Sequence, residues 1–131
     1  MPLLTRNVQY SGSRTSARRK LAIGTWYEPG DPSMYGVVDV EVDRALQYLE
    51  EVRKKTGKHI TLTHMVGKAI AEAIRRNPDC NSILRWGKIY RRKTIDVFYL
   101  VAVDKDGKDL SGTLVRDADQ KTLLQIAEHL E

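Results

Sequence analysis

Seven successive residues, Val97-Phe98-Tyr99-Leu100-Val101-Ala102-Val103, form a nearly continuous apolar run between Asp96 and Asp104. A run this short and this rich in β-branched and aromatic side chains reads as a β-strand buried on both faces, or close to it. Such a strand needs covering layers on its faces and hydrogen-bonded neighbours on its edges. The rest of the chain must supply them.

Helical periodicity supplies the layers. Leu46, Leu49 and Val52, with Ala45 and Tyr48 alongside, place one apolar stripe on a helix that Asp43 caps and Gly57 ends. A second helix starts at Thr63 or Thr61, shows Met65, Val66, Ala69, Ile70, Ala73 and Ile74 at helical spacing, and stops at Pro78. Residues 121–130 form a third, with Leu123, Leu124, Ile126, Ala127 and Leu130 toward the core. Strands are expected over residues 37–42, which alternate apolar and polar after the first, and over 110–115. Residues 83–86 and 89–91 read as two short strands about a turn at Gly87-Lys88. Residues 1–16 are an arm with at most a short strand, 28–33 are a Pro- and Gly-bearing loop, and 104–109 are a polar turn. The order implies an α/β or α+β layer arrangement. It offers few partners for the apolar strand, so half of a larger sheet is expected.

At 131 residues, 41% apolar and 30% charged, the chain has enough apolar surface to fold as one compact domain. No apolar run approaches the roughly 20 residues of a membrane span, and the first 22 residues lack a secretory core, so cytoplasm is the expected compartment. Cys80 stands alone and cannot form an internal disulfide. The 22 lysines and arginines exceed the 17 acidic residues, giving a net charge of +5, and they cluster at 14–20, 53–58, 75–76 and 91–93. A phosphate-bearing partner and simple solvated helix ends both account for these clusters. Charge alone does not make nucleic acid the favoured partner, because Trp86, Tyr90 and Phe98 do not follow the stacking pattern of a known single-strand-binding motif.

A self-contained active site is not legible. His59, His64 and His129 lack metal-ligand spacing, and no metal site is expected. Cys80 follows a helix end, away from any basic helix N-terminus that would activate a thiol, and is read as a small packing residue. No phosphate-binding glycine loop occurs. Asp104-Lys105 has the dipeptide of a lipoyl-carrying turn without its flanking residues, and is read as a turn.

Three pieces in fixed order carry a family likeness. They are the helix closing on Asn77-Pro78-Asp79-Cys80-Asn81, the short basic segment after it, and the strand ending Val101-Ala102-Val103. Together with Arg18-Arg19-Lys20-Leu21-Ala22 upstream and Thr122-Leu123-Leu124-Gln125-Ile126-Ala127 downstream, this order resembles the first half of the catalytic domain of 2-oxo-acid dehydrogenase acyltransferases, relatives of the chloramphenicol acetyltransferases. The likeness covers residues 17–131 and implies a two-layer sandwich with a mixed sheet and helices on one face. In that family an arginine of the Arg-Arg-x-x-Ala segment, here Arg18 or Arg19, pairs with the aspartate of a distant His-x-x-x-Asp-Gly motif and so helps to orient the catalytic histidine.

The same resemblance implies an acceptor pocket walled by Trp26, Tyr27, Met34 and Tyr35, although these aromatics suit a loop packed on the core equally well. It places Ser111, Gly112 and Thr113 on a coenzyme-side strand, in a segment, residues 108–115, that departs from the family's Gly-Leu-x-x-Pro-Val. It further implies coenzyme A or acyl-coenzyme A as substrate, no covalently bound cofactor, and a homo-oligomer, a trimer in the family, or a complementary C-terminal half as partner. No His-x-x-x-Asp-Gly occurs in these residues. They are therefore expected to be inactive alone, with both arginines unpaired. A non-catalytic module that binds an acyl carrier or a partner chain fits the missing base as well.

Overall fold

The computed structural model describes residues 7–10, 15–25, 33, 35–102 and 110–130, with positions 101, 102 and 110 described by backbone alone. The elements run β1 (Val8–Tyr10), α1 (Ala17–Thr25), α2 (Asp43–Thr56), α3 (Leu62–Arg76), a 3-10 turn (Pro78–Cys80), β2 (Ser82–Arg85), β3 (Lys88–Arg92), β4 (Val97–Ala102), β5 (Leu110–Val115) and α4 (Leu123–Leu130). Contacts gather them into two compact units, Met1–Val40 with Pro78–Lys93 and Glu41–Asn77 with Thr94–Glu131. The mixed α/β character expected from the sequence is present. The single mixed sheet is not: the described strands form two sheets, β1-β3-β2 and β4-β5, and every pairing is antiparallel.

In the first unit, β2 and β3 are joined by Trp86-Gly87, both at positive φ (49° and 67°). This is the geometry of a two-residue hairpin whose twist matches its strands, and it sets the register Arg85↔Lys88, Leu84↔Ile89, Ile83↔Tyr90 and Ser82↔Arg91. The turn thus lies one residue earlier than the sequence pattern placed it. β1, inside the expected arm, pairs with the other edge of β3. Ser16 starts α1 by accepting a hydrogen bond from the Arg19 N–H at 3.3 Å.

The second unit holds the core. Ala71, Tyr99, Val115, Ala118 and Ile126 form one buried cluster, flanked by Ile95, Val97 and Leu130. Leu49, Ile60 and Ala127 form another, flanked by Val52, Leu62, Met65, Leu123 and Leu124. Thr61, rather than Thr63, precedes α3, and its N–H donates to His64 Nδ1 at 3.1 Å. α4 closes a reciprocal box: Thr122 N–H donates to Gln125 Oε1 at 2.9 Å, and Gln125 N–H donates to Thr122 Oγ1 at 3.2 Å. Lys68 reaches from α3 to the carbonyls of Ala118 and Asp119 at 3.3 and 2.7 Å, which fastens the turn after β5.

Four local expectations are corrected. Residues 37–42 pair with no described strand, and Val37, Val38 and Val40 are exposed; alternation shows a face available for burial, not an occupant for it. Asp43 begins α2 without capping it, since Val42 holds the N-cap position with no side-chain hydrogen bond. α3 buries Gly67 and Ala71, leaving Val66 and Ile70 exposed, because its smallest side chains admit the closest neighbours. β4 is buried on one face only: Tyr99 is covered, whereas Phe98 and Leu100 are exposed. No described helix is long and apolar enough to cross a membrane.

Candidate functional site

The first unit brings together two arginines that the sequence separates by 72 positions, each bonded to the same carboxylate. Arg19, on the first turn of α1, donates from Nη1 to Asp79 Oδ2 at 3.0 Å. Arg91, on β3, donates from Nη2 to Asp79 Oδ1. Asp79 is held in place by local chain geometry: it sits in the 3-10 turn that Pro78 starts after α3, where Asn81 N–H returns to the Pro78 carbonyl at 3.2 Å. The Asn81 carbonyl in turn accepts from Arg92 N–H at 2.8 Å, tying the turn to β3.

Arg19, followed by Arg91, holds the Asp79 carboxyl below its ordinary pKa. Each bond is charge-assisted, and a carboxylate with two guanidinium partners leaves a net positive charge at the cluster. Beside it lies an open cleft of about 270 Å³ lined by Arg19, Ile23, Asp79, Ser82, Ile83, Leu84 and Ile89. The Ser82 hydroxyl is buried without a hydrogen-bond partner among the described residues. The cleft therefore combines apolar walls with the Arg19–Asp79 ion pair, a setting for an apolar group that carries one polar end.

The expectation that both arginines stand unpaired is corrected for Arg19. Arg18 is exposed and has no ion pair among the described residues. Of the four residues expected to wall an acceptor pocket, Trp26, Tyr27 and Met34 lie outside the described residues, as does the Asp104-Lys105 turn. Tyr35 is almost wholly exposed. Ser111, Gly112 and Thr113 stand on β5 opposite Val101, Leu100 and Tyr99. Alternation turns Thr113 toward the core of the second unit and Gly112 outward, beneath the Phe98 ring, where a Cβ would collide with that ring. The histidines do not converge: His64 serves the start of α3, while His59 and His129 are exposed. No group of metal-ligating side chains gathers among the described residues. Arg91 was missed as a site residue; its sequence signal was only membership of the basic segment 91–93.

The family model for 2-oxoacid dehydrogenases acyltransferase (catalytic domain) matches residues 7–131. Over 103 residues, 76% of the chain, it is 34% identical to dihydrolipoyllysine-residue acetyltransferase component 3 of the mitochondrial pyruvate dehydrogenase complex of Arabidopsis thaliana, covering 19% of that protein. It is 28% identical to the lipoamide acyltransferase component of the branched-chain alpha-keto acid dehydrogenase complex of Bacillus subtilis (strain 168), covering 24% of that protein. The chain thus spans a quarter or less of the length of these relatives. No solved structure matches it.

Proposed function

The chain belongs to the family of 2-oxoacid dehydrogenase acyltransferases, catalytic domain, and we propose that it supplies part of a coenzyme A-dependent acyltransferase site with the chloramphenicol acetyltransferase-like sandwich. The match across residues 7–131, which takes in every element from β1 to α4, carries this reading. In the proposed reaction a histidine takes the proton of an acceptor thiol, amine or hydroxyl, which attacks the thioester carbonyl. The tetrahedral oxyanion collapses with cleavage of the C–S bond, and the coenzyme leaves as its thiol.

These residues hold no His-x-x-x-Asp-Gly, so we assign the base to another segment or subunit and give this chain the positioning work. Arg18 or Arg19 meets the aspartate of that motif. Arg18 has no partner among the described residues and is available for it, while Arg19 would exchange Asp79 for it or be shared. Residues 26, 27, 34 and 35 wall the acceptor pocket, and the strand carrying Ser111, Gly112 and Thr113 lies on the coenzyme side. A trimer or a complementary half completes the site.

The test is a chimera in which residues 7–131 replace the corresponding segment of the Bacillus subtilis lipoamide acyltransferase. Acyl transfer from acyl-coenzyme A is expected in the chimera and not in the 131-residue chain alone. A folded chimera without turnover removes the proposed contribution. Robust turnover by the isolated chain, lost on changing His59, His64 or His129 to Ala, places the base here instead.

A further inference from the structure

The β1-β3-β2 sheet has a second face, opposite the cleft, on which alternate residues assemble rings and cations. Register and alternation put Val8 and Tyr10 of β1, Lys88, Tyr90 and Arg92 of β3, and Ile83 and Arg85 of β2 on that face. Contacts confirm the placement: the Tyr10 and Tyr90 rings lie 5.6 Å apart, tilted by 48°, and Lys88 Nζ sits 5.5 Å from the Tyr10 ring centre. Arg91 and Ile89 point the other way, to Asp79 and the cleft. Tyr10 is 51% exposed, and Arg85, Lys88 and Arg92 are exposed. None of the three cations has a carboxylate partner among the described residues.

We propose that this face binds single-stranded nucleic acid, with Lys88, Arg92 and Arg85 meeting phosphates and the Tyr10–Tyr90 pair meeting bases. The inference stands independently of the acyl-transfer reading. Lys88 and Arg92 are four strand positions apart, about 13 Å at the usual rise, with Tyr90 between them, and Arg85 lies across from Lys88 on the neighbouring strand about 5 Å away. So spread an array exceeds one phosphate group and suits a linear polyanion. The ring pair at its centre, exposed at Tyr10 and half-buried at Tyr90, distinguishes that polyanion further: a base offers a flat π-face to stack on the Tyr10 ring, whereas an acidic peptide engages the cations and leaves that ring in water. The sequence could not show this, because Tyr10 and Tyr90 are 80 positions apart and meet only through the β1–β3 pairing.

The experiment is fluorescence anisotropy of the full chain with a short labelled single-stranded oligonucleotide, titrated between about 50 and 200 mM salt. Three phosphate contacts predict a slope of about −2 in log K against log salt. Lys88→Gln with Arg92→Gln should flatten that slope. Tyr10→Leu should weaken binding about tenfold at unchanged slope, with Tyr10→Phe, which keeps the ring, retaining it. Circular dichroism of each variant confirms that the sheet is formed. Equal competition by polyglutamate, or no effect of Tyr10→Leu in a folded protein, overturns the proposal in favour of an acidic protein partner. Competition by coenzyme A at concentrations matching the oligonucleotide overturns it in favour of a small phosphorylated ligand, and absence of binding at low salt overturns it outright.

Discussion

The Tyr99 hydroxyl of β4 occupies the space beside α3 that a Cβ at Gly67 would need. The closeness has two consequences. It brings strand and helix together through a position without a side chain, and it buries a phenol oxygen that has no hydrogen-bond partner among the described residues. Burial pushes the Tyr99 phenol above its ordinary pKa.

Gly67→Ala should therefore destabilise the chain by about 1 to 3 kcal/mol, the usual effect of overpacking a core. Tyr99→Phe should be neutral or stabilising, since it removes a buried polar atom that nothing satisfies. Combined, the second substitution should recover part of the loss from the first. Urea unfolding of the two single variants and the double variant measures this coupling, and strictly additive effects would show that the two positions do not meet.

Acid should weaken the C-terminal end of α3. Hydrogen bonds from Arg75 and then Arg76 lower the Glu72 pKa from 4.5 to about 2. A carboxyl with a depressed folded pKa contributes fully above its unfolded value, and the contribution disappears as pH falls through the folded one. The loss should thus run from about 4.5 down to about 2, and Glu72→Gln should remove it. Carbon-detected NMR titration of the Glu72 carboxyl reads the midpoint directly; a midpoint at its ordinary value would show that the two arginines do not hold it.

Asp79 has the same sign of shift, with Arg19 as its largest cause. Arg19→Ala should raise the Asp79 pKa toward the ordinary carboxylate value, and by more than Arg91→Ala does. Because the Arg19 and Asp79 side chains are about half exposed, the difference should shrink in about 1 M salt, where the screening length is only about 3 Å. The same carboxyl titration, run on the three proteins, orders the two contributions.

Self-association is expected through the outer face of the β4–β5 ribbon. Phe98, Leu100 and Leu114 share that face and are 61%, 65% and 43% exposed, an apolar patch of the kind that marks an interaction surface. Light scattering of the purified chain should give a mass above the monomer. Leu100→Lys should shift it toward the monomer without loss of helix content; a monomeric parent chain would remove the prediction.

Most helices and strands were legible because each carries its own periodicity and punctuation. The stripe of Leu46, Leu49 and Val52 with Gly57 after it, and the Trp86-Gly87 region between two short apolar runs, are local signals, and the structure places α2 and the β2–β3 hairpin there. The antiparallel pairing of β4 with β5 and the exposure of Val37, Val38 and Val40 were not legible, since alternation says that a face is apolar without naming what covers it.

At the candidate site the sequence by itself determined the residue types: two arginines opening α1, an aspartate after Pro78, a basic strand, and the family to which the chain belongs. Only the tertiary structure decided their partners. It joined Arg19 and Arg91 to one carboxylate across 60 and 12 positions, and it set Tyr10 against Tyr90. The physical reason is range. Periodicity, caps and turns act over a few residues, whereas an ion pair or a ring pair depends on separations of a few ångströms between segments, which come into being only when strand register and helix packing are complete.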